Sequence, residues 1–179
     1  MHDVHSTSGS RPALVVLGGL PGSGKTTLAR GVARALRAVH VRVDTVEQAV
    51  LHSSLGVPAV AEAGYAAAMG VAADNLRLGL DVVADSVNPV AASQDGWRWV
   101  GAESGARVVE ILVVCTDPVA HRGRVEGREA DIPGHVQPTW EGVATTELDA
   151  WASAAVLDTA GATPEESVAA ALALVARER

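Results

Sequence analysis

The residues that most constrain this chain are Gly19-Leu20-Pro21-Gly22-Ser23-Gly24-Lys25-Thr26, which fit the spacing G-x-x-x-x-G-K-[ST]. They are preceded by Pro12 and the short apolar run Ala13-Leu14-Val15-Val16-Leu17. From Lys25 onward Leu28, Val32 and Leu36 recur at a spacing of four, with Arg30, Arg34 and Arg37 on the opposite side. A buried strand, a glycine-rich turn and an amphipathic helix in that order are the context of a P-loop. Successive backbone N–H groups of such a loop wrap phosphates, the positive end of the following helix adds to the attraction, and glycines let the backbone approach without Cβ clashes. Lys25 is placed to reach the β- and γ-phosphates of a nucleotide, and the Thr26 hydroxyl to sit on Mg²⁺. Composition sharpens the point: of 14 basic residues, Lys25 is the only lysine. A lysine standing alone among arginines does something that a guanidinium cannot.

The rest of the chain repeats the strand-then-helix rhythm. Strands are expected at 39–43, 81–85, 108–115 and 154–158. Helices are expected at 25–38, 44–53, 59–79, 93–104, from Asp117, at 141–150, and from Pro164, with a break at Gly56 and Pro58. Five apolar strands alternating with helices predict an α/β fold with a parallel sheet covered on both faces. The length of 179 residues suits one domain, residues 12–179, after a flexible polar tail at 1–11 that carries His2 and His5 without a metal role. The tail lacks the apolar core of a secretory signal, and no apolar stretch reaches the roughly 20 residues of a membrane span, so a cytoplasmic protein without membrane association is expected. Hydrophobic residues at 48% exclude a disordered chain, and a net charge of −7 argues against a nucleic-acid partner. Cys115, at the end of an apolar run, reads as a small buried thiol.

Ligands on such a sheet bind at the carboxyl ends of the strands, and three further candidates fall there. Asp44 directly follows the second strand, where it can take the proton of an acceptor hydroxyl; it can equally cap the next helix, with Glu47 in the capping-box position. Asp85 ends the third strand, as a carboxylate for Mg²⁺ or as a turn former before Pro89. Asp158 and Thr159 follow the last strand, where a purine base or merely an ordinary loop would sit. Asn75 falls in register with the stripe Val60, Ala67, Val71 and Leu78, hence faces inward, toward backbone partners or a substrate cleft. Arg122 and Glu126 can pair, whereas Arg124 and Arg128 are spaced to repel on one helical face beside His121. An anion relieves such a face. Just before the loop that holds Pro133, Gly134 and Pro138, it reads as a lid over residues 121–140 that brings arginines onto a transferring phosphate, or as a solvated helix. Trp97, Trp99, Trp140 and Trp151 read as packing anchors, Trp140 being the best exception.

Taken together, these residues resemble the small P-loop kinases of the AAA_33 type, relatives of chloramphenicol phosphotransferase, zeta-toxin kinases, gluconate kinase and phage polynucleotide kinase. The likeness rests on Gly19 to Thr27, Val41-Arg42-Val43-Asp44, the D-x-x-N strand end at Val82 to Asn88, the lid from Arg122 to Arg128, and Leu157-Asp158-Thr159. It implies a five-stranded parallel sheet of order 2-3-1-4-5 and Mg-ATP-dependent phosphorylation of a hydroxyl. It also extends the nucleotide site to Thr27, and places Asp44, Glu47, Asn75 and Asn88 as candidates on the acceptor side. In polynucleotide kinases an arginine stands where this chain has Glu47, and an acidic residue there repels substrate phosphate. The expectation is therefore a kinase acting on a hydroxyl of a small molecule. The alternatives are a nucleoside, nucleotide or nucleic-acid 5′-hydroxyl kinase, and a nucleotide-binding switch without an acceptor.

Overall fold

The computed structural model of the protein describes residues 11–54, 56–57, 59–60 and 62–177. The expected tail at 1–10 with His2 and His5, and the break at Pro58, lie outside the described residues. Five strands, β1 (Ala13–Gly18), β2 (Val39–Arg42), β3 (Val82–Asp85), β4 (Arg107–Val114) and β5 (Ala155–Asp158), form one parallel sheet of order β2-β3-β1-β4-β5. Among the described residues seven helices connect and cover it: α1 (Lys25–Leu36), α2 (Val43–Leu51), α3 (Ala63–Arg77), α4 (Ala91–Glu103), α5 (Pro118–Glu126), α6 (Trp140–Ala144) and α7 (Pro164–Arg177).

Alternation along β1 builds two cores. Ala13, Val15 and Leu17 face α1 and α7, while Leu14 and Val16 face α3 and α4. All five are fully buried, as a strand covered on both faces requires. The same parity matters at the edge strand β2. Val41 joins the α3/α4 core, so His40 and Arg42 turn to the α1 side, and Arg42 stands in register with Asp85 of β3. Two residues of unlike charge are thereby set side by side next to the start of α1.

Four sequence expectations need correction. The buried stripe of α3 is Gly64, Ala68, Ala72 and Leu76, not the stripe through Ala67, Val71 and Leu78; Val71 is 50% and Leu78 77% exposed. Small side chains at Gly64, Ala68 and Ala72 let this helix lie close to the sheet, with Leu76 filling the core at its end, while Val71 and Leu78 point outward. The helix expected at 141–150 stops at Ala144, where the Thr145 and Thr146 hydroxyls bond the carbonyls of Glu141 and Gly142 in its last turn. The freed segment then sends the Asp149 carboxylate to accept from the Ala91 N–H at the start of α4 (2.8 Å). Cys115 lies one residue beyond β4 and is half-buried, its thiol directed at the Asp117 carbonyl. Trp97 is fully buried and Trp151 nearly so, as packing anchors should be, but Trp99 is 62% exposed.

Candidate active site

The glycine-rich turn is held tightly between β4 and α5. A Cβ on Gly19 (φ +136°) would lie 2.2 Å from the Val113 carbonyl oxygen, and one on Gly22 (φ +81°) 2.5 Å from Val125 of α5. Gly24 takes a left-handed conformation at the N-cap of α1, and no side chain caps the helix, so the first-turn N–H groups are left for an anion. From α5, the His121 ring meets the Pro21 carbonyl (Nε2 at 2.8 Å) and stands edge-on to Trp140, 5.3 Å between ring centres. The segment α5 to α6 therefore lies over the loop. Between them is a cavity of about 390 Å³ lined by the loop, by Lys25, Thr26 and Thr27, by Arg30, and by Arg124, Arg128 and Asp131. Lys25 is 5% exposed; burial pushes its ammonium pKa down, against the charges of Asp85 and Asp44. Such a lysine is a desolvated point charge aimed at whatever fills the cradle.

Asp85 is buried at the end of β3. Burial pushes its carboxyl up, but the His40 imidazole 3.5 Å away, the Lys25 charge and the Thr26 hydroxyl together hold it below the ordinary carboxylate range. Its Oδ2 is buried and meets no hydrogen-bond donor among the described residues. No group of three His, Cys, Asp or Glu side chains among those residues is arranged for a metal. A hydroxyl and an orphaned carboxylate oxygen beside a phosphate cradle do fit Mg²⁺, which takes one or two protein oxygens and leaves its other positions to phosphates and water. Asp44 lies in the first turn of α2, not at its cap; the N-cap is Arg42 and no side chain bonds there, so the capping-box expectation for Asp44 and Glu47 fails. That leaves the Asp44 carboxylate with a long contact to Arg42, 3.5 Å, and within the electrostatic field of Lys25.

Residues 14–141 match the AAA_33 family, described as an AAA domain. The chain belongs to the AAA_33 family. Its fold is also similar to that of a gluconokinase from Sinorhizobium meliloti 1021 (20% identity, TM-score 0.64, 93% of this chain and 93% of that one). A sugar kinase from Janibacter sp. HTCC2649 (22%, 0.65, 93% and 95%) and the APS kinase of Mycobacterium tuberculosis, solved with AMPPNP and APS (20%, 0.68, 93% and 98%), are similar in the same way. No curated protein sequence matches the chain. The fold is that of the small P-loop kinases, with the sheet order 2-3-1-4-5. Among the described residues no helix is long and apolar enough to cross a membrane.

In this AAA_33 chain the outlying candidates divide. Arg122 pairs with Glu126 at 2.8 Å as expected. The expected repulsion of Arg124 and Arg128 along one helix does not arise, because α5 ends at Glu126 and Arg128 belongs to the following loop. Arg124 bonds the Thr159 hydroxyl (2.8 Å) and carbonyl (3.0 Å), and that hydroxyl bonds the Ser23 carbonyl at 2.8 Å, so Thr159 fastens α5 to the phosphate loop. Beside it a second cavity of about 190 Å³, with Thr27, Leu28, Ala162 and Pro164 in its wall, adjoins the first. Asp158 is not in that wall. Its carboxylate is held low in pKa by the Thr116 hydroxyl and by the Ala160 and Thr116 N–H groups.

Asn75 sits on the outer part of α3, its amide donating to the Val71 carbonyl, and so does not reach a cleft. Asn88, left-handed (φ 53°) and 1% exposed, accepts from the Trp97 indole (3.0 Å) and directs its amide at the Leu17 carbonyl, while its N–H bonds the Tyr65 hydroxyl (3.1 Å). It ties β1, α3 and α4 together instead of facing an acceptor. Glu47 packs against Gly64 of α3, with burial and the Asp44 charge pushing its carboxyl up. Sequence reasoning missed the roles of Arg42, His40 and Asp131. Strand parity through Val41 could have placed Arg42 beside Asp85, whereas nothing local marks Asp131 in its loop.

Proposed function

We propose that this chain is a kinase that transfers the γ-phosphate of ATP to a hydroxyl of a small-molecule acceptor. The observation that carries the reading is the buried Lys25 under an uncapped phosphate cradle, with two separate carboxylates, Asp85 and Asp44, both within its field. A loop that only bound nucleotide would need the first carboxylate; the second, on a different strand end, supplies a base. The phosphate-transfer names of structurally similar proteins, among them a gluconokinase and a sugar kinase, support the same reading.

In this mechanism the N–H groups at the start of α1 and the Lys25 ammonium hold the β- and γ-phosphates, and Arg124 and Arg128 meet them from the opposite wall of the cavity. Thr26 and Asp85 would hold Mg²⁺, which neutralises phosphate charge when bound. Asp44 accepts the proton of the acceptor hydroxyl as that oxygen bonds to the γ-phosphorus, while the β–γ bridging oxygen leaves with ADP. The lid excludes water, so the hydroxyl and not a solvent molecule is the nucleophile. Glu47, one turn from Asp44, disfavours an acceptor that presents a phosphate there, which weighs against a polynucleotide.

The test is incubation with ATP and pools of hydroxyl-bearing metabolites, read as an ATP-dependent mass gain of one phosphate. Lys25→Ala should remove the gain, a loss on the order of a hundredfold or 3 kcal/mol for one such electrostatic stabiliser. Lys25→Arg should not restore it, because a planar fork does not fit a cradle built around an ammonium. Slow hydrolysis that no hydroxyl compound stimulates would favour a nucleotide-dependent switch instead.

A further inference from the structure

Three arginines from three parts of the fold converge on one carboxylate of the loop between α5 and α6. Asp131 lies 2.5 Å from Arg30 of α1, 2.8 Å from Arg42 at the end of β2 and 3.6 Å from Arg128. These contacts hold the Asp131 carboxyl well below the usual carboxylate range. Arg30 is exposed, but the Arg42 side chain is 4% exposed, and its remaining nitrogens point at the two candidate functional carboxylates. Nη2 is 3.5 Å from Asp44 Oδ2 and Nε is 3.8 Å from Asp85 Oδ2. Full charge-assisted bonds are about 2.7–2.9 Å. The Arg42 Nε and the Asp85 Oδ2 are moreover both buried without a hydrogen-bond partner among the described residues, although they are 3.8 Å apart, with the likewise unpartnered His40 Nε2 3.5 Å from the same oxygen. A guanidinium and a carboxylate left in that position close the gap unless something holds them apart. The one short bond that Arg42 makes is to Asp131.

We propose that Asp131 is the latch of the lid, and that Arg42 is the positioning residue through which the latch acts. With the lid down, Asp131 draws Arg42 toward the loop, which leaves Asp85 Oδ2 free for Mg²⁺ and Asp44 free to take a proton. With the lid open, Arg42 settles on the two carboxylates and occupies the oxygens that the metal and the acceptor need. A nucleotide bound before closure then meets an incomplete site, which limits wasteful hydrolysis. The inference rests on the roles given to Asp44 and Asp85 under the proposed function.

The test needs no acceptor. Amide hydrogen exchange over residues 118–139 and calorimetric binding of AMPPNP across a Mg²⁺ titration are measured for the full chain and for Asp131→Asn, Asp131→Glu and Arg30→Gln. Asp131→Asn should speed exchange in the lid and raise the Mg²⁺ needed for half-maximal binding about tenfold, the size expected for one lost charged hydrogen bond. Asp131→Glu should recover much of both. Arg30→Gln should speed exchange and raise the Mg²⁺ requirement less than Asp131→Asn does, because the Asp131–Arg42 bond remains. An unchanged Mg²⁺ requirement in Asp131→Asn, or an equal rise in Arg30→Gln, overturns the role of Arg42. A wild-type chain that fails to bind AMPPNP at any Mg²⁺ overturns the reading of the site itself and with it the relay, while the exchange arm still decides whether Asp131 latches the lid.

Discussion

The two carboxylates whose charges act on Lys25 differ in surroundings, and the difference supports the separate roles proposed for them. Asp85 is 1% exposed with an orphaned oxygen, whereas Asp44 is partly open to solvent at the start of α2. Asp44→Asn should therefore keep near-normal Mg-nucleotide affinity while transfer falls by about 10²–10⁴, the range for removal of a general base. Asp85→Asn should instead weaken the response to Mg²⁺ and recover in part at high Mg²⁺, since mass action refills a weakened site. Titrating Mg²⁺ in both variants separates the roles, and rescue of the Asp44 variant alone would reverse them. Glu47 offers a check on electrostatics away from the chemistry. Burial, then the Asp44 charge, raises its folded-state pKa, so the folded chain binds this proton more tightly than the unfolded one. The ionised form thus costs stability above the unfolded value near 4.3, and the cost disappears as pH falls below it. Glu47→Gln should stabilise the fold at pH 7 by less than about 1 kcal/mol, since the group is only half-buried, seen as a higher melting temperature that is nearly unchanged at pH 4. A gain at pH 4 as large as that at pH 7 would show packing, not charge, to be the cause.

Loop and lid are fitted to each other through one glycine. Gly22 has φ +81°, and an added Cβ would lie 2.5 Å from Val125 and 3.0 Å from His121, both in α5. Gly22→Ala should therefore cost on the order of 1–3 kcal/mol in chemical denaturation and weaken nucleotide binding, by backbone strain and by lifting α5 from the loop. Val125→Ala in the same chain should return only part of the loss, since it removes the clash and not the strain; full recovery would show that φ is unimportant there. Helix-on-helix contact elsewhere uses the same device. In α1, Gly31 admits Val168 of α7, whose Cγ2 would lie 2.3 Å from a Cβ at that position, and the close approach seals the core beneath the cradle. The segment from α5 to α6 thus rests on a rigid base, held by apolar contact of Val125 with the loop and by polar attachments such as Arg124 to Thr159 and Asp131 to Arg42.

Across the whole molecule, the sheet edge that holds β1, β2 and β3 delivers the loop, Arg42 and Asp85 to one place, so nucleotide binding should report on global stability. AMPPNP with Mg²⁺ at about one hundred times its Kd should stabilise the fold by about 2.7 kcal/mol, a rise in Tm of roughly 5–10 °C for a domain of this size. Lys25→Ala should abolish that rise, and a wild-type chain that shows none does not bind the nucleotide in this cradle. The parallel sheet, the cradle with Lys25 and Thr26, and the places of Asp44 and Asp85 after β2 and β3 were legible in the residues, whereas the strand order came only from the family resemblance. The legible features depend on contiguous patterns: a motif with fixed spacing, apolar runs of strand length, and a chain that must return to the same sheet edge after each helix. The buried face of α3 was not legible, because in an alanine-rich helix hydrophobicity hardly distinguishes one side from another, and closeness to the sheet selected the smallest residues, Gly64, Ala68 and Ala72, over Val71 and Leu78. Nor was the inward turn of Asn88, which depends on Trp97 and Leu17 arriving from other elements. Asp131 shows the limit most plainly. Its sequence neighbours mark only a loop, and its partners Arg30 and Arg42 are 101 and 89 residues away, so only packing of the lid across α1 and β2 could bring these charges together.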